Sequence, residues 1–139
     1  MIAARSHSGS VHVDTSQWPI VVHTTVGSPS DGQFDAYIRE ATEVLFREGR
    51  HVAVMDSSLL GKASAYARER KKEWLANHEQ DLRRACLGTA FVLSSPVTRF
   101  AAATILLVRP FPTPYVVCAT LEEAMAWARQ RLSDANVPR

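Results

Sequence analysis

The chain is poor in the residues that staple or load a small protein. It has two cysteines, Cys86 and Cys118, and neither a CxxC pair nor a Cys/His set at ligand spacing, which excludes a disulfide framework and a zinc site. Both thiols are expected to be ordinary buried side chains. Long apolar runs are also lacking. The longest, Phe100 to Val108, is less than half of the roughly 20 residues that cross a bilayer as a helix, so no transmembrane segment is expected. Met1 to Ser10 lacks the apolar stretch of roughly 7–15 residues that a secretory signal needs, and a cytoplasmic location is expected. Charge of one sign is scarce too. The formal net charge is +2, too small a surplus to hold a nucleic-acid backbone, so no nucleic-acid partner is expected. The five histidines form no H-x-x-x-H or H-E-x-x-H pattern, and no G-x-S-x-G elbow is present. No metal, cofactor or catalytic residue is therefore assigned, and an enzyme is disfavoured.

What remains is the composition of one foldable domain: 139 residues, 46% hydrophobic and 22% charged. Residues 1–10, rich in Ser, Gly and Ala, read as a flexible tail, residues 11–133 as the domain and residues 134–139 as a short carboxy-terminal tail. Val11 to Asp14 and Ile20 to Thr25 are β-rich runs placed to pair as an antiparallel hairpin, in which His12 and His23 are positioned to face each other. Ser30 and Gln33 form a capping box, and Phe34, Tyr37, Ile38, Ala41, Val44 and Leu45 recur at helical steps until Gly49.

His51 to Asp56 reads as a strand, and a helix with a thin apolar stripe is expected from Ser64 towards Cys86. Thr89 to Leu93 reads as another strand. Ser95 and Pro96 then stand as N-cap and first residue of a third helix, running to about Val108. The prolines of Arg109 to Pro114 forbid a helix there and lead into the strand Tyr115 to Cys118. Thr120 and Glu123 are the capping box of a last helix. The order ββαβαβαβα implies an α/β fold, with a mixed, mostly parallel sheet of about five strands and helices packed on it.

Two places invite a functional reading. Asp56-Ser57-Ser58-Leu59-Leu60-Gly61-Lys62 is expected between a strand and a helix, where α/β sheets keep their chemistry. It is not a P-loop, because Asp56 stands at the first glycine position and Ala63 where Ser or Thr would bind magnesium. Asp56 and the serines also suit the plainer role of satisfying backbone donors. The second place is the helix of Phe100 to Val108, apolar almost all round. A covering loop, self-association through Phe100, Ile105, Leu106 and Leu107, and an apolar ligand beneath it are the open readings. The basic run Lys62, Arg68, Arg70, Lys71 and Lys72 is interleaved with Glu69 and Glu73, as on a solvated helix face.

The segment at residue 56 resembles the D-S-S-G-L-G signature of the anti-sigma factor antagonists of the STAS fold. It matches at Asp56, Ser57, Ser58, Leu60 and Gly61 and departs at Leu59. The wider chain, roughly Val11 to Leu132, is similar to the SpoIIAA-like branch of that fold. The resemblance implies a non-enzymatic regulatory or protein-interaction module, with Ser58 as phospho-acceptor of a partner kinase, Asp56 and Ser57 presenting it and Lys62 as a neighbouring charge. The implied partner is a protein, a kinase or an anti-sigma-like protein, with a homodimer as a further possibility. The same branch resembles CRAL-TRIO lipid-transfer domains, which implies the alternative of a small apolar-ligand or lipid-binding domain.

Overall fold

A computed structural model describes residues 9–138, so most of the expected amino-terminal tail lies outside the described residues. The strands are β1 (Ser10–Asp14), β2 (Ile20–Gly27), β3 (His51–Leu60), β4 (Cys86–Val92) and β5 (Tyr115–Cys118). The helices are α1 (Asp31–Leu45), α2 (Ala65–Asn77), α3 (Glu79–Ala85), α4 (Pro96–Val108) and α5 (Leu121–Asp134). One sheet holds the strands in the order β1-β2-β3-β4-β5. β1 is antiparallel to β2, and the other neighbours run parallel. The α/β class, the hairpin and the parallel crossovers are as the sequence implies.

Both capping boxes form. Ser30 and Gln33 cap α1, Thr120 and Glu123 cap α5, and in each pair the side chains answer each other's backbone N–H groups. Ser64 and Ser95 cap α2 and α4 through their hydroxyls. The expected long second helix is divided at His78, which ends α2 and begins α3; its ring stacks on Trp74 with centroids 4.8 Å apart. The hairpin register pairs His12 with Thr24 and His23 with Val13, so the two histidines are not opposite and point to different faces. At the carboxy-terminal end, α5 continues to Asp134 and the Val137 N–H donates to the Leu132 carbonyl at 2.9 Å. Val137 packs on the core, so this segment is part of the fold.

Strand alternation gives the sheet two apolar faces. Ile20, Val22, Val52, Val54, Ala90, Val92 and Cys118 meet Ala124, Met125, Ala128 and Leu132 of α5. The close approach of α5 requires Gly88, where a Cβ would come within 2.7 Å of the Trp127 ring. The opposite face carries Ala53 and Cys86 and is covered by α1 and α3, with Trp74 and Leu75 of α2 packed alongside. Because β2 to β5 are parallel neighbours in chain order, right-handed crossovers place α1 to α4 on this one side.

Candidate functional site

Asp56 to Leu60 is not the strand-to-helix loop that its polar residues suggest. It continues β3, and Leu59 and Leu60 pair with Val26 and Gly27 of β2. The ladder slips on the way: Thr24 pairs with Asp56 and Val26 with Leu59, so Ser57 and Ser58 together stand opposite Thr25 in a β-bulge. A bulge leaves a backbone donor without a ladder partner, and Asp56 supplies one. Its Oδ1 accepts from the Ser58 N–H at 3.1 Å and from the Ser58 hydroxyl at 2.7 Å. Leu59 therefore has ordinary extended backbone and projects into solvent, 68% exposed. Gly61 marks a close approach, because a Cβ there would stand 2.8 Å from the Ser28 hydroxyl. The Lys62 N–H donates to that hydroxyl at 3.1 Å. The Lys62 side chain is exposed, and among the described residues no hydrogen bond or ion pair joins it to Asp56 or Ser58.

The second sequence candidate adjoins the first. The Ser94 hydroxyl donates to the Ser58 carbonyl at 3.2 Å, and Arg99 donates to the carbonyls of Leu93 and Ser94 at 2.8 and 3.0 Å. These bonds hold the start of α4 beside the bulge. From there α4 stands off the domain: no residue of the helix is buried, and Phe100 and Leu107 are 75% and 80% exposed. Ile105, Val97 and Val108 are exposed as well, whereas Leu106 is half-buried. The loop of Arg109 to Pro114 does not cover them. Phe111 instead stacks edge-on against Phe91, and the Thr113 hydroxyl bonds that of Thr89 at 2.9 Å.

A cavity of about 50 Å³ lies between the sheet and helices α1 to α3. None of residues 96–108 lines it, so it is not the space beneath α4 that an apolar-ligand reading called for. Its walls are mostly apolar, among them Ile38, Ala41, Leu45, Ala53, Met55 and Trp74, and the polar groups His23, Tyr37, His51, Lys71 and Thr89 stand in them. His23 Nδ1 and the Tyr37 hydroxyl share a 2.8 Å hydrogen bond. Desolvation lowers the His23 pKa to about 3, helped by the nearby positive charges of Lys71 and His51. Desolvation takes His51 down to about 4 and lowers the Lys71 ammonium, while it raises the Tyr37 phenol. His51 Nδ1 is buried with no hydrogen-bond partner.

The sequence reading gave His23, Tyr37, His51 and Lys71 no common site and set Lys71 on a solvated face, although a signal was present. His51, Ala53 and Met55 alternate along β3 and share one face, and Lys71 lies three and four positions before Trp74 and Leu75 on the packed stripe of α2. Among the described residues no cluster of His, Cys, Asp and Glu has the form of a metal site. Cys86 and Cys118 are free and buried, and no described helix is long and apolar enough to cross a membrane.

No protein-family model matches the chain, and no curated protein matches it. Among solved structures it is similar to an uncharacterized protein of the DUF3478 family with a SpoIIAA-like fold from Shewanella loihica PV-4. The identity is 14%, the TM-score is 0.67, and the match covers 88% of this chain and 94% of that one. Such a likeness concerns the fold, and with the five-stranded mixed sheet and its crossovers it shows that this chain has a SpoIIAA-like α/β fold.

Proposed function

We propose that this domain is a non-enzymatic protein-interaction module whose partner docks at the carboxy-terminal edge of the parallel strands, on α4 and the adjoining Asp56–Leu60 bulge. One observation carries the reading: a helix as apolar as α4 buries none of its side chains, while a hydrogen bond from Ser94 ties the segment that leads into it to Ser58. Exposed apolar residues gathered on one element mark an interaction surface. Ser58 is the control point. Its hydroxyl and N–H both rest on the Asp56 carboxylate, so a phosphate on Oγ, adding roughly −1.5 to −2 charges, removes the hydroxyl bond and repels that carboxylate. The bulge then loosens, and with it the anchor of α4.

The test places a photo-crosslinking amino acid at Phe100 in cells and, as a control, at Gln130 on the exposed side of α5. A discrete adduct with another protein at position 100, absent at 130 and lost on Ser58→Glu, is the expected result. An adduct with a second copy of this chain replaces the foreign partner by a homodimer. No adduct at position 100 overturns the reading.

A further inference from the structure

The cavity under α1 to α3 is lined by bases without an acid. His23, His51 and Lys71 stand in its walls with Tyr37 and Thr89, and no aspartate or glutamate does. Lys71 stands out among the basic residues of its helix pair. Arg68 donates to the Ala63 carbonyl at 2.8 Å, and Arg70 pairs with Asp35 at 3.3 Å, Lys72 with Glu69 at 3.8 Å, Arg83 with Glu79 at 2.8 Å and Arg84 with Asp81 at 2.9 Å. Lys71 has no ion pair among the described residues and is turned into the cavity wall. A second polar group is unsatisfied at the same site: His51 is 4% exposed, and its Nδ1 has no partner. A buried polar atom without a partner is costly, and a cation set in an apolar wall without a counter-charge is costlier still. The unpaired ammonium is relieved by a bound molecule that brings a negative group into the cavity.

We infer that the cavity binds a small monocarboxylate, whose carboxylate pairs with Lys71 and whose short apolar body lies against Ile38, Ala41, Ala53 and Met55. Two features set the class. The lack of any acid in the wall favours an anion, and the lack of a second unpaired ammonium or any guanidinium there matches one negative charge rather than two. Size sets the chain length. A cavity of 50 Å³ exceeds what one water needs and is about a third of the roughly 150 Å³ that admits benzene; an acid with fewer heavy atoms than benzene is required, which corresponds to acids of one or two carbons. A fatty acid does not fit. This site is separate from the α4 surface and does not depend on the docking proposed there.

The probes are sodium formate and sodium acetate, with acetamide as uncharged isostere and decanoate as long-chain control, at matched ionic strength in chloride buffer. The readout is the indole N–H signal of Trp74 in a 15N-resolved spectrum, because that ring lines the cavity and donates to the Thr42 hydroxyl at 2.9 Å. Saturable shifts with formate or acetate, and at least tenfold weaker binding of acetamide, are expected. Lys71→Met, checked for folding by circular dichroism, weakens acetate at least tenfold and leaves acetamide unchanged. Equal binding of acetate and acetamide, or tighter binding of decanoate, overturns the anion assignment. No saturable shift with either short acid overturns the site, and the wild-type comparison decides even where the variant does not fold.

Discussion

The two sides of the sheet are covered in different ways. On one side a single helix, α5, closes the surface with four inward residues, of which Ala124, Ala128 and Leu132 have no exposure at all. On the other side α1, α2 and α3 leave a cavity and take polar groups into it, and α4 buries nothing. The difference does not follow hydrophobicity, since α4 is the more apolar of the two terminal helices. It follows patterning. α5 has a polar half that fixes which side faces the sheet, and Arg131 secures the seat by donating to the Leu87 carbonyl at 3.2 and 2.7 Å. α4 turns only the half-buried Arg99, Ala102 and Leu106 towards the domain and leaves the larger Phe100, Ile105 and Leu107 exposed. Stability belongs to the first side, and both proposed binding surfaces lie on the second.

The contrast breaks most sharply at Leu132. Removing its buried side chain leaves a void in the closed layer, and Leu132→Ala is expected to cost about 2–5 kcal/mol in urea unfolding. A loss below about 1 kcal/mol would mean that α5 repacks freely and that the two sides are less different than they look.

The second test uses acid. His51 titrates near 6.5 in the unfolded chain and is held down to about 4 in the fold, so between these values the unfolded state binds a proton that the native state refuses. Its contribution is intact above pH 6.5 and falls as pH drops towards 4, with a slope of at most about 1.4 kcal/mol per pH unit. His23, held down to about 3, adds to the same trend, and Lys71 is the cation facing both across the cavity. His51→Leu is expected to flatten the stability profile between pH 6.5 and 4. An unchanged profile would remove His51 as its source.

A smaller effect separates the two helix starts. Thr120 caps the helix that closes the core, and Thr120→Ala should cost about 1 kcal/mol of global stability. Ser95 caps α4 with a longer bond, 3.4 Å to the Thr98 N–H. Ser95→Ala should fray that helix in hydrogen exchange and barely move the urea midpoint. Equal losses would show that α4 is coupled to the core as tightly as α5.

The architecture was legible because its signals are local. Capping residues, the proline-rich break at Arg109 to Pro114 and alternating strand runs each announce their element, and the strand Tyr115 to Cys118 lies where the sequence places it. Misplaced expectations concern features fixed by partners distant in sequence. Asp56 to Leu60 is polar at its start and reads as a loop, yet its backbone is drawn into the sheet by Val26 and Gly27, with the bulge absorbing the mismatch. His51 and Lys71 are far apart in the chain and line one cavity only once α2 packs against α1. The apolar surplus of α4 was visible, but whether the domain covers it depends on packing, and there the fold leaves it open.

The smallest effect is the most telling for that last point. Leu107 is 80% exposed, so it has little burial to lose, and Leu107→Gln is expected to change stability by less than about 0.5 kcal/mol. Set beside Leu132→Ala, the pair measures the difference between an apolar residue that builds the fold and one that the fold does not use. The same substitution should abolish the crosslink expected at Phe100, because it places an amide in the centre of the proposed contact. A stability loss above about 1 kcal/mol would show instead that α4 packs on its own domain in solution. The apolar face would then be core, and the docking surface would shrink to the bulge at Ser58.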